Sequence, residues 1–482
     1  MSTPTPATPT ARLPVAVIGA GPVGLAAAAH LLERGLTPLI LEAGDQPAPA
    51  SPSGATCACS LPGAWPWTPP DSDALPTGAD LLDRYLAPLA ATPAIRPHLR
   101  LGHAVIGITR QDLDKVRSPG RERLPFVVRV RTRDGEERDL QASAVIDASG
   151  TWTHPNPLGA GGLPALGERT AAARGLVHTG LPDVLGADRA HFAGGRVLVV
   201  GAGHSAATSL LALAELRRRH APSTQIVWAV RSATPRPLVG KGSAAADELP
   251  ARGQLATDLR ALVDGGQVEL VTGFHARQLH TNPGPDSGVG ITVLGHGPAG
   301  PQQLQADLVI NATGFRPDHT VASELRLALD PALESAAALA PLIDPNVHTC
   351  GTVPAHGVHQ LAHPEHGYWI VGMKSYGRAP TFLLATGYEQ VRSVVAALAG
   401  DQARPPSPSR PSHPRPGSAA SPTSCSAAPV TAPAAGSSRS PPQPRPRARA
   451  RPSPRWPATA QEAHPRTGEP SPAASSQLAS HR

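Results

Sequence analysis

The sequence predicts an α/β chain: two Rossmann-like, three-layer dinucleotide-binding domains followed by a disordered Pro/Arg-rich C-terminal tail. Three observations predict it. A strand–glycine–helix–strand unit occupies Val15–Leu41, a second unit of the same design begins at Arg196, and composition breaks sharply after Gly400. With 482 residues the chain is long enough for two or three domains, each burying its own core.

The elements follow in order. Val15–Ile18 is a short apolar run that reads as a buried strand, and Pro22–Arg34 reads as an Ala/Leu helix. Gly35 stands where a helix-ending glycine is expected, and Leu39–Leu41 forms the next strand. Residues 81–90 read as helix, and Phe126–Val130 and Ala144–Ile146 as strands. The second unit has its strand at Val197–Val200, its helix from about His204 to Arg218, and its next strand at Ile226–Val230. The Gly/Pro-rich stretch 281–301 reads as loop, Leu308–Ile310 as one more buried strand, and about Thr381 to Ala399 as the last periodic helix.

Residues 401–482 hold 19 Pro, 11 Arg, no Lys and 3 acidic residues, with a single Leu and a single Val. Such a segment cannot bury enough apolar surface to offset the entropy of ordering, so disorder is expected. Its net charge of +8 exceeds the +7 of the whole chain, so residues 1–400 sum to −1. The folded part is near neutral, which removes the case for a specific nucleic-acid surface. No apolar run reaches the roughly 18 residues of a membrane span, and Met1–Pro14 lacks the basic and apolar stretches of a signal peptide. A cytoplasmic protein without a membrane partner is expected. The four cysteines (Cys57, Cys59, Cys350 and Cys425) are too few and too irregular for a disulfide framework or a metal site.

Gly19-Ala20-Gly21-Pro22-Val23-Gly24 lies between a strand and a helix, the context that gives this motif meaning. Gly19 permits the tight turn, Gly21 lets a pyrophosphate approach the backbone, and Gly24 lets helix and strand pack closely. The helix N-terminus then offers N–H groups and a positive dipole end to the phosphates. Glu42 ends the second strand, where a carboxylate can accept hydrogen bonds from ribose hydroxyls. Placement near the N-terminus favours FAD. Gly201-Ala202-Gly203-His204-Ser205-Ala206 repeats the design about 180 residues later, with Ala206 in the third glycine's place. Arg231 follows the second strand of this unit, where the first unit has Glu42. A guanidinium there can bind a 2′-phosphate that a carboxylate would repel, so NADPH is expected over NADH; a solvated strand-end cation is the competing reading of Arg231.

At these residues the chain resembles the flavin-containing monooxygenase-like flavoproteins with two dinucleotide-binding domains, over about residues 13–400. Within that class it is similar to the branch associated with bacterial arsenic resistance. Asp147-Ala148-Ser149-Gly150-Thr151-Trp152 and Asn311-Ala312-Thr313-Gly314-Phe315 resemble the two turns where such chains cross between domains. Tyr368–Lys374 resembles the late strand and turn that run past the flavin, with Lys374 in place of the acid that many relatives direct at the ribityl chain. The resemblance implies a discontinuous FAD-binding domain, residues 12–165 and 305–400, with the NAD(P)H-binding domain, 166–304, inserted. It implies an FAD-dependent, NADPH-using oxidoreductase that passes hydride from nicotinamide to flavin and oxygenates a small-molecule substrate. The cofactors carry the chemistry, and no side chain stands out as catalytic.

Three departures leave alternatives open. Of the F-x-G-x-x-x-H-x-x-x-F/Y pattern of such monooxygenases only His178 is present; Ala172, Arg174 and Pro182 stand in the other places. Disulfide reductases of related architecture need a C-x-x-C or C-x-x-x-x-C pair, whereas Cys57-Ala58-Cys59 is C-x-C. Residues 46–70 read as no element of a flavin domain. Relatives carry W-G-H-V-R-L-F-S-P-W near this point, and one coding of its first eight residues, read one base later, gives Gly54–Ser60 as it stands here. That match suggests a local frameshift. A reductase or oxidase without oxygenation, or a nucleotide-binding flavoprotein that no longer turns over, are the alternatives.

Overall fold

The computed structural model describes residues 12–47, 77–233, 250–283, 289–348 and 353–401. The C-x-C stretch, Cys350, Cys425 and the Pro/Arg-rich tail lie outside the described residues.

The chain opens with β1 (Val15–Ile18), α1 (Pro22–Glu33) and β2 (Pro38–Leu41). The helix expected over 81–90 is α2 (Gly78–Leu81), a wider π-type turn Leu82–Leu86, and α3 (Ala87–Ala91). Thr77 caps it in a reciprocal box with Asp80. Five strands follow: β3 (Leu99–Arg100), β4 (His103–Arg110), β5 (Phe126–Thr132), β6 (Glu137–Ala142) and β7 (Ala144–Asp147). Next come α4 (Glu168–Ala173), β8 (Val177–Thr179), α5 (Arg189–Phe192), β9 (Arg196–Val200), α6 (His204–Arg219) and β10 (Gln225–Ala229). The rest is α7 (Pro250–Asp264), β11 (Glu269–Val271), β12 (His275–Pro283), β13 (Val289–Gly297), β14 (Gly300–Ala306), β15 (Leu308–Asn311), α8 (Ala340–Ile343), β16 (Tyr368–Ile370) and α9 (Leu384–Leu398).

Two five-stranded parallel sheets carry the fold, in the orders β16-β7-β1-β2-β3 and β8-β15-β9-β10-β11. Four strands of each sheet share one order, β7-β1-β2-β3 and β15-β9-β10-β11; the fifth, at the edge, is the last of its sheet along the chain in the first (β16) and the first in the second (β8). Register places Ile370, Asp147, Ile18, Leu41 and Arg100 in one row at the carboxyl edge of the first sheet. Thr179, Asn311, Val200, Ala229 and Val271 form the matching row in the second.

Alternation along each strand builds three layers. Val15 and Val17 pack with α1 and α9, including Leu25, Leu31, Val391 and Val394. Ala16 and Ile18 turn to the other face and meet Phe126, Val128 and Val130 of the antiparallel meander β4-β5-β6. Each of the large side chains among them, fully buried, contributes about 1.5–3 kcal/mol. In the second half one core unites β9, β10 and β15 with α6 and with Ile291, Val293 and Leu304 of the meander β12-β13-β14. A buried Glu365 receives Arg110 and Arg121 at 2.8 and 2.9 Å, tying the first meander to the segment that precedes β16.

Three expectations need correction. The stretch 281–301, expected as loop, contributes to β12, β13 and β14; burial of Ile291 and Val293 in the core outweighs its glycines. The strand Leu308–Asn311 belongs to the second sheet, paired with β9 and β8, although the returning FAD-side segment was expected to start at residue 305. The last helix starts at Leu384, three residues later than expected.

Candidate functional site

At the first carboxyl edge the chain leaves β1 through Gly19, whose φ of +94° is closed to most residues. A Cβ on Gly19 would stand 2.8 Å from the Ala148 carbonyl oxygen, so this turn and the one after β7 touch. A Cβ on Gly24 would overlap the Gly19 carbonyl oxygen, whereas above Gly21 there is open space. Pro22 opens α1 where its missing N–H costs nothing, since the N–H groups of the first turn have no acceptor within the helix. Glu42 is buried and its carboxylate already serves the turn: Oε2 accepts from Ala20 N–H at 2.7 Å and Oε1 from Gly44 N–H at 2.8 Å. Each oxygen keeps a lone pair for a further donor.

Asp147, in the same row, is fully buried. Its Oδ1 accepts from the Ser149 N–H at 3.1 Å and hydroxyl at 2.6 Å. Its Oδ2 accepts from Lys374 Nζ at 2.7 Å and Tyr368 OH at 3.0 Å. Burial works to raise the carboxyl, but the Lys374 ammonium and these hydrogen bonds outweigh it and hold the group below its ordinary range. Tyr368 is pushed well above its ordinary value by burial and by the Asp147 charge. Lys374 is 2 % exposed and also donates to Ser149 Oγ at 3.0 Å. The turn that carries it, Gly372–Tyr376, is pinned by a buried Gln390: Oε1 accepts from Gly372 N–H at 2.8 Å, and Nε2 donates to Ser375 Oγ at 2.9 Å. Two histidines adjoin the pair. His319 donates from Nε2 to the Glu334 carbonyl, leaving a buried Nδ1 without a partner among the described residues. His363 accepts from Ala328 N–H at Nδ1, leaving a buried Nε2–H likewise. Burial pushes His363 down to about 4.

At the second carboxyl edge Gly201 has φ +138°, and a Cβ there would overlap the Ala312 carbonyl oxygen. Gly203 again leaves open space before α6, and Ala206 is buried in the third glycine's place. The indole N–H of the buried Trp228 donates to the Gly201 carbonyl at 2.7 Å. Asn311 repeats the Asp147 turn: its Oδ1 accepts from Thr313 N–H at 3.2 Å and Thr313 hydroxyl at 2.7 Å. Its Nδ2 donates to the Asn156 carbonyl at 2.8 Å. Arg231 is not the register partner of Glu42, as chain order suggested. That place belongs to Val230, which is buried, because β10 ends at Ala229 where β2 ends at Leu41. Arg231 stands one residue further on, exposed, with Nη1 donating to the Ala160 carbonyl at 3.0 Å.

The turns through Gly150 and Gly314 bring the two edges together. Asn156 N–H donates to the Gly314 carbonyl at 2.8 Å and Arg316 N–H to the His154 carbonyl at 2.9 Å. Trp152, 61 % exposed, packs at a tilt of 58° against Phe315 with ring centroids 5.0 Å apart. His178 sits mid-strand in β8 rather than in a surface loop, against His191 and Phe192, and burial lowers it. Gly19, Gly21, Gly24, Glu42, Gly150 and Lys374 thus gather at one edge, and Gly201, Gly203, Ala206, Arg231 and Gly314 at the other. Sequence reasoning missed Asp147 as the counter-ion of Lys374, and Trp228, Gln390, His319 and His363. Among the described residues no three His, Cys, Asp or Glu form a metal-binding group, and no helix is long and apolar enough to cross a membrane.

Residues 13–363 match the model of the pyridine nucleotide-disulphide oxidoreductase family. No curated protein matches the chain by sequence. Among solved structures, bacillithiol disulfide reductase from Bacillus cereus has a TM-score of 0.58 at 18 % identity, covering 81 % of this chain and 100 % of its own. The FAD-bound cadaverine monooxygenase of desferrioxamine biosynthesis from Erwinia amylovora has 0.55 at 15 %, covering 84 % and 98 %. A flavin-containing monooxygenase from Stenotrophomonas maltophilia has 0.50 at 22 %, covering 81 % and 99 %. The chain belongs to the pyridine nucleotide-disulphide oxidoreductase family and is an oxidoreductase.

Proposed function

We propose that this member of the pyridine nucleotide-disulphide oxidoreductase family is an FAD-dependent, NADPH-using enzyme that passes electrons to dioxygen and a small-molecule substrate rather than to a disulfide. The observation that carries the reading is the duplication: two parallel sheets that share the order of four strands, each with a glycine turn after its central strand and an Asx turn beside it. Ligands of such sheets lie at the carboxyl ends of the strands, and here both edges are built for a dinucleotide.

The first edge fits FAD. Gly19, Gly21 and Gly24 shape the turn that takes the pyrophosphate, the first-turn N–H groups of α1 bind it, and Glu42 accepts the ribose hydroxyls. Gly150, at φ +74°, lets the chain turn after β7. Lys374 departs from the acidic pattern of relatives; its ammonium is held by the buried Asp147 and fixes Ser149 in the turn after β7. The second edge fits NADPH. Gly201, Gly203 and Ala206 form the turn, Gly314 the neighbouring one, and Arg231 meets the 2′-phosphate. With Val230 in the acid's place, that position offers no carboxylate to repel the phosphate. FAD, when bound, supplies the acceptor for hydride from the reduced nicotinamide.

The acceptor reading rests on cysteine placement. The sequence has no C-x-x-C pair, and none of its four cysteines lies among the described residues. The closest pair, Cys57 and Cys59, is C-x-C, so the spacing that disulfide reductases use is missing from the sequence. With dioxygen as acceptor, one NADPH yields either an oxygenated substrate and water or hydrogen peroxide.

The test is the visible spectrum of the purified full chain before and after NADPH under anaerobiosis. Flavin bands that bleach with NADPH and return with air are expected. Bands that NADPH leaves unchanged would overturn the assignment of the second edge, and absence of flavin after reconstitution would overturn that of the first. Peroxide counted against NADPH consumed then separates an oxidase from an oxygenating enzyme.

A further inference from the structure

A cavity of about 510 Å³ lies beside Arg231, lined by Ala160, Gly161, His275, Ala276, Arg277 and His296. None of these is acidic. The cavity belongs to the second carboxyl edge by its backbone bonds: Phe274 N–H donates to the Val230 carbonyl at 2.9 Å and Gly273 N–H to the Ser232 carbonyl at 3.1 Å. These bonds hold the start of β12 against the residues that flank Arg231. The opposite wall is the segment after Leu158. Ala160 N–H donates to the Ala276 carbonyl at 3.0 Å and Leu166 N–H to the Arg277 carbonyl at 2.9 Å. Arg231 reaches this wall directly, through the Ala160 carbonyl.

Two features aim basic groups into the space. His275 and His296 are directly opposite in the β12–β13 ladder, so both side chains leave the same face about 5 Å apart. Register shifts between Ala276 and Gln278, so Arg277 is bulged out of the alternation that would send it to the other face beside Ala276. All three side chains are exposed. Two imidazoles and a guanidinium around one space gain little from one another, whereas an anion between them gives every donor a partner.

We propose that this cavity receives the 2′-phosphate of NADPH, with Arg277, His275 and His296 acting beside Arg231 as specificity-determining residues. This rests on the reading of the second edge as the nicotinamide nucleotide site. A pyrophosphate over the Gly201–Ala206 turn directs the adenosine along the carboxyl ends of β10 and β11, which is where the cavity opens.

The test compares adenosine 2′,5′-bisphosphate with adenosine 5′-monophosphate, ligands that differ only in the 2′-phosphate, by calorimetry on the full chain. The wild-type chain should prefer the bisphosphate. Arg277→Ala, and separately the double variant His275→Ala/His296→Ala, should each cut that preference about tenfold, the low end for charge-assisted hydrogen bonds. The monophosphate affinity should not move, which also reports that the variants are folded. If both variants keep the wild-type preference while Arg231→Ala loses it, the cavity proposal falls and NADPH stands on Arg231 alone. A wild-type chain that does not distinguish the two ligands, or binds neither, overturns the NADPH reading first and the cavity with it.

Discussion

Asp147 and Asn311 occupy the same place in the four-strand arrangement that the two sheets share, and they solve the same problem at different cost. Each accepts, through one side-chain oxygen, the N–H and hydroxyl of the residue two further on, a Ser in one turn and a Thr in the other. They differ in the remaining atom. The amide of Asn311 donates to a backbone carbonyl and is satisfied without charge. The second oxygen of Asp147 carries charge into a fully buried place, and the fold answers it with Lys374 and Tyr368. One atom exchanged for another therefore commits the first edge to an ion pair from residues 227 positions apart in sequence, while the second needs only a neighbouring loop. The same contrast recurs one residue beyond the second strand, where Glu42 accepts two backbone N–H groups and Val230 simply packs.

Breaking the ion pair should give the largest effect. Asp147→Ala leaves the Lys374 ammonium buried and unpaired and is expected to cost about 3–5 kcal/mol. Asn311→Ala removes neutral hydrogen bonds and should cost about 1–2 kcal/mol. Urea denaturation of the two variants measures the difference directly; equal losses would mean that the charge is not what distinguishes the edges. The comparison sharpens with Asp147→Asn, which copies the second edge onto the first but strands the lysine. Adding Lys374→Met should restore most of the loss, since replacing a buried pair by apolar volume is often neutral.

Acid should separate the edges next. His363 adjoins the ion pair and is held neutral by burial, with its value down at about 4 against an ordinary 6.5. In that interval the unfolded chain binds a proton that the native chain does not, so stability falls as pH drops from 6.5 toward 4, by at most about 3 kcal/mol. Asp147 adds a second, lower window: its carboxyl is depressed, so its contribution is present above the unfolded carboxylate range and lost as pH falls through the folded value. His363→Asn keeps an acceptor for the Ala328 N–H but has no ring to protonate. Its stability between pH 6.5 and 4 should be flatter than that of the wild-type chain, with the lower window unchanged. An unaltered slope in this interval would remove His363 as its source.

Much of this was legible in the sequence, and the limit has a physical cause. Gly19–Gly24 and Gly201–Ala206 announce themselves because a tight turn, a phosphate approach and a helix packed on a strand impose local demands on residue type. The Asp147 and Asn311 turns were legible for the same reason, their partners being two residues away. Lys374 was placed near the first edge by position, but nothing local reveals that its ammonium closes on Asp147, because register between β16 and β7 decides it. Arg231 shows the same limit at closer range. Chain order set it opposite Glu42, and only the pairing of β10 with β9 and β11 shows Val230 in that place. The meander over 275–306 was missed because its glycines read as breakers while its alternation is short.

The smallest contrast is the third glycine. Gly24 cannot carry a Cβ, because the Gly19 carbonyl oxygen occupies the space, yet Ala206 carries one at the equivalent place and is fully buried. Trp228 supplies the reason. Its indole N–H takes the Gly201 carbonyl at 2.7 Å and holds it toward the strand, whereas the Gly19 carbonyl has been left facing the helix. Gly24→Ala should therefore cost about 1–3 kcal/mol as an overpacked core and reduce flavin retention. Ala206→Gly should cost only about 1 kcal/mol, the helix propensity difference. The link between the two residues is what a double-mutant cycle reads. If Trp228 makes the room that Ala206 fills, Trp228→Phe should be less costly in the Ala206→Gly background than alone, by about 0.5–1 kcal/mol in denaturant unfolding. Strict additivity would leave the alanine to be explained by the wider Gly201 turn itself, whose φ of +138° differs from the +94° at Gly19.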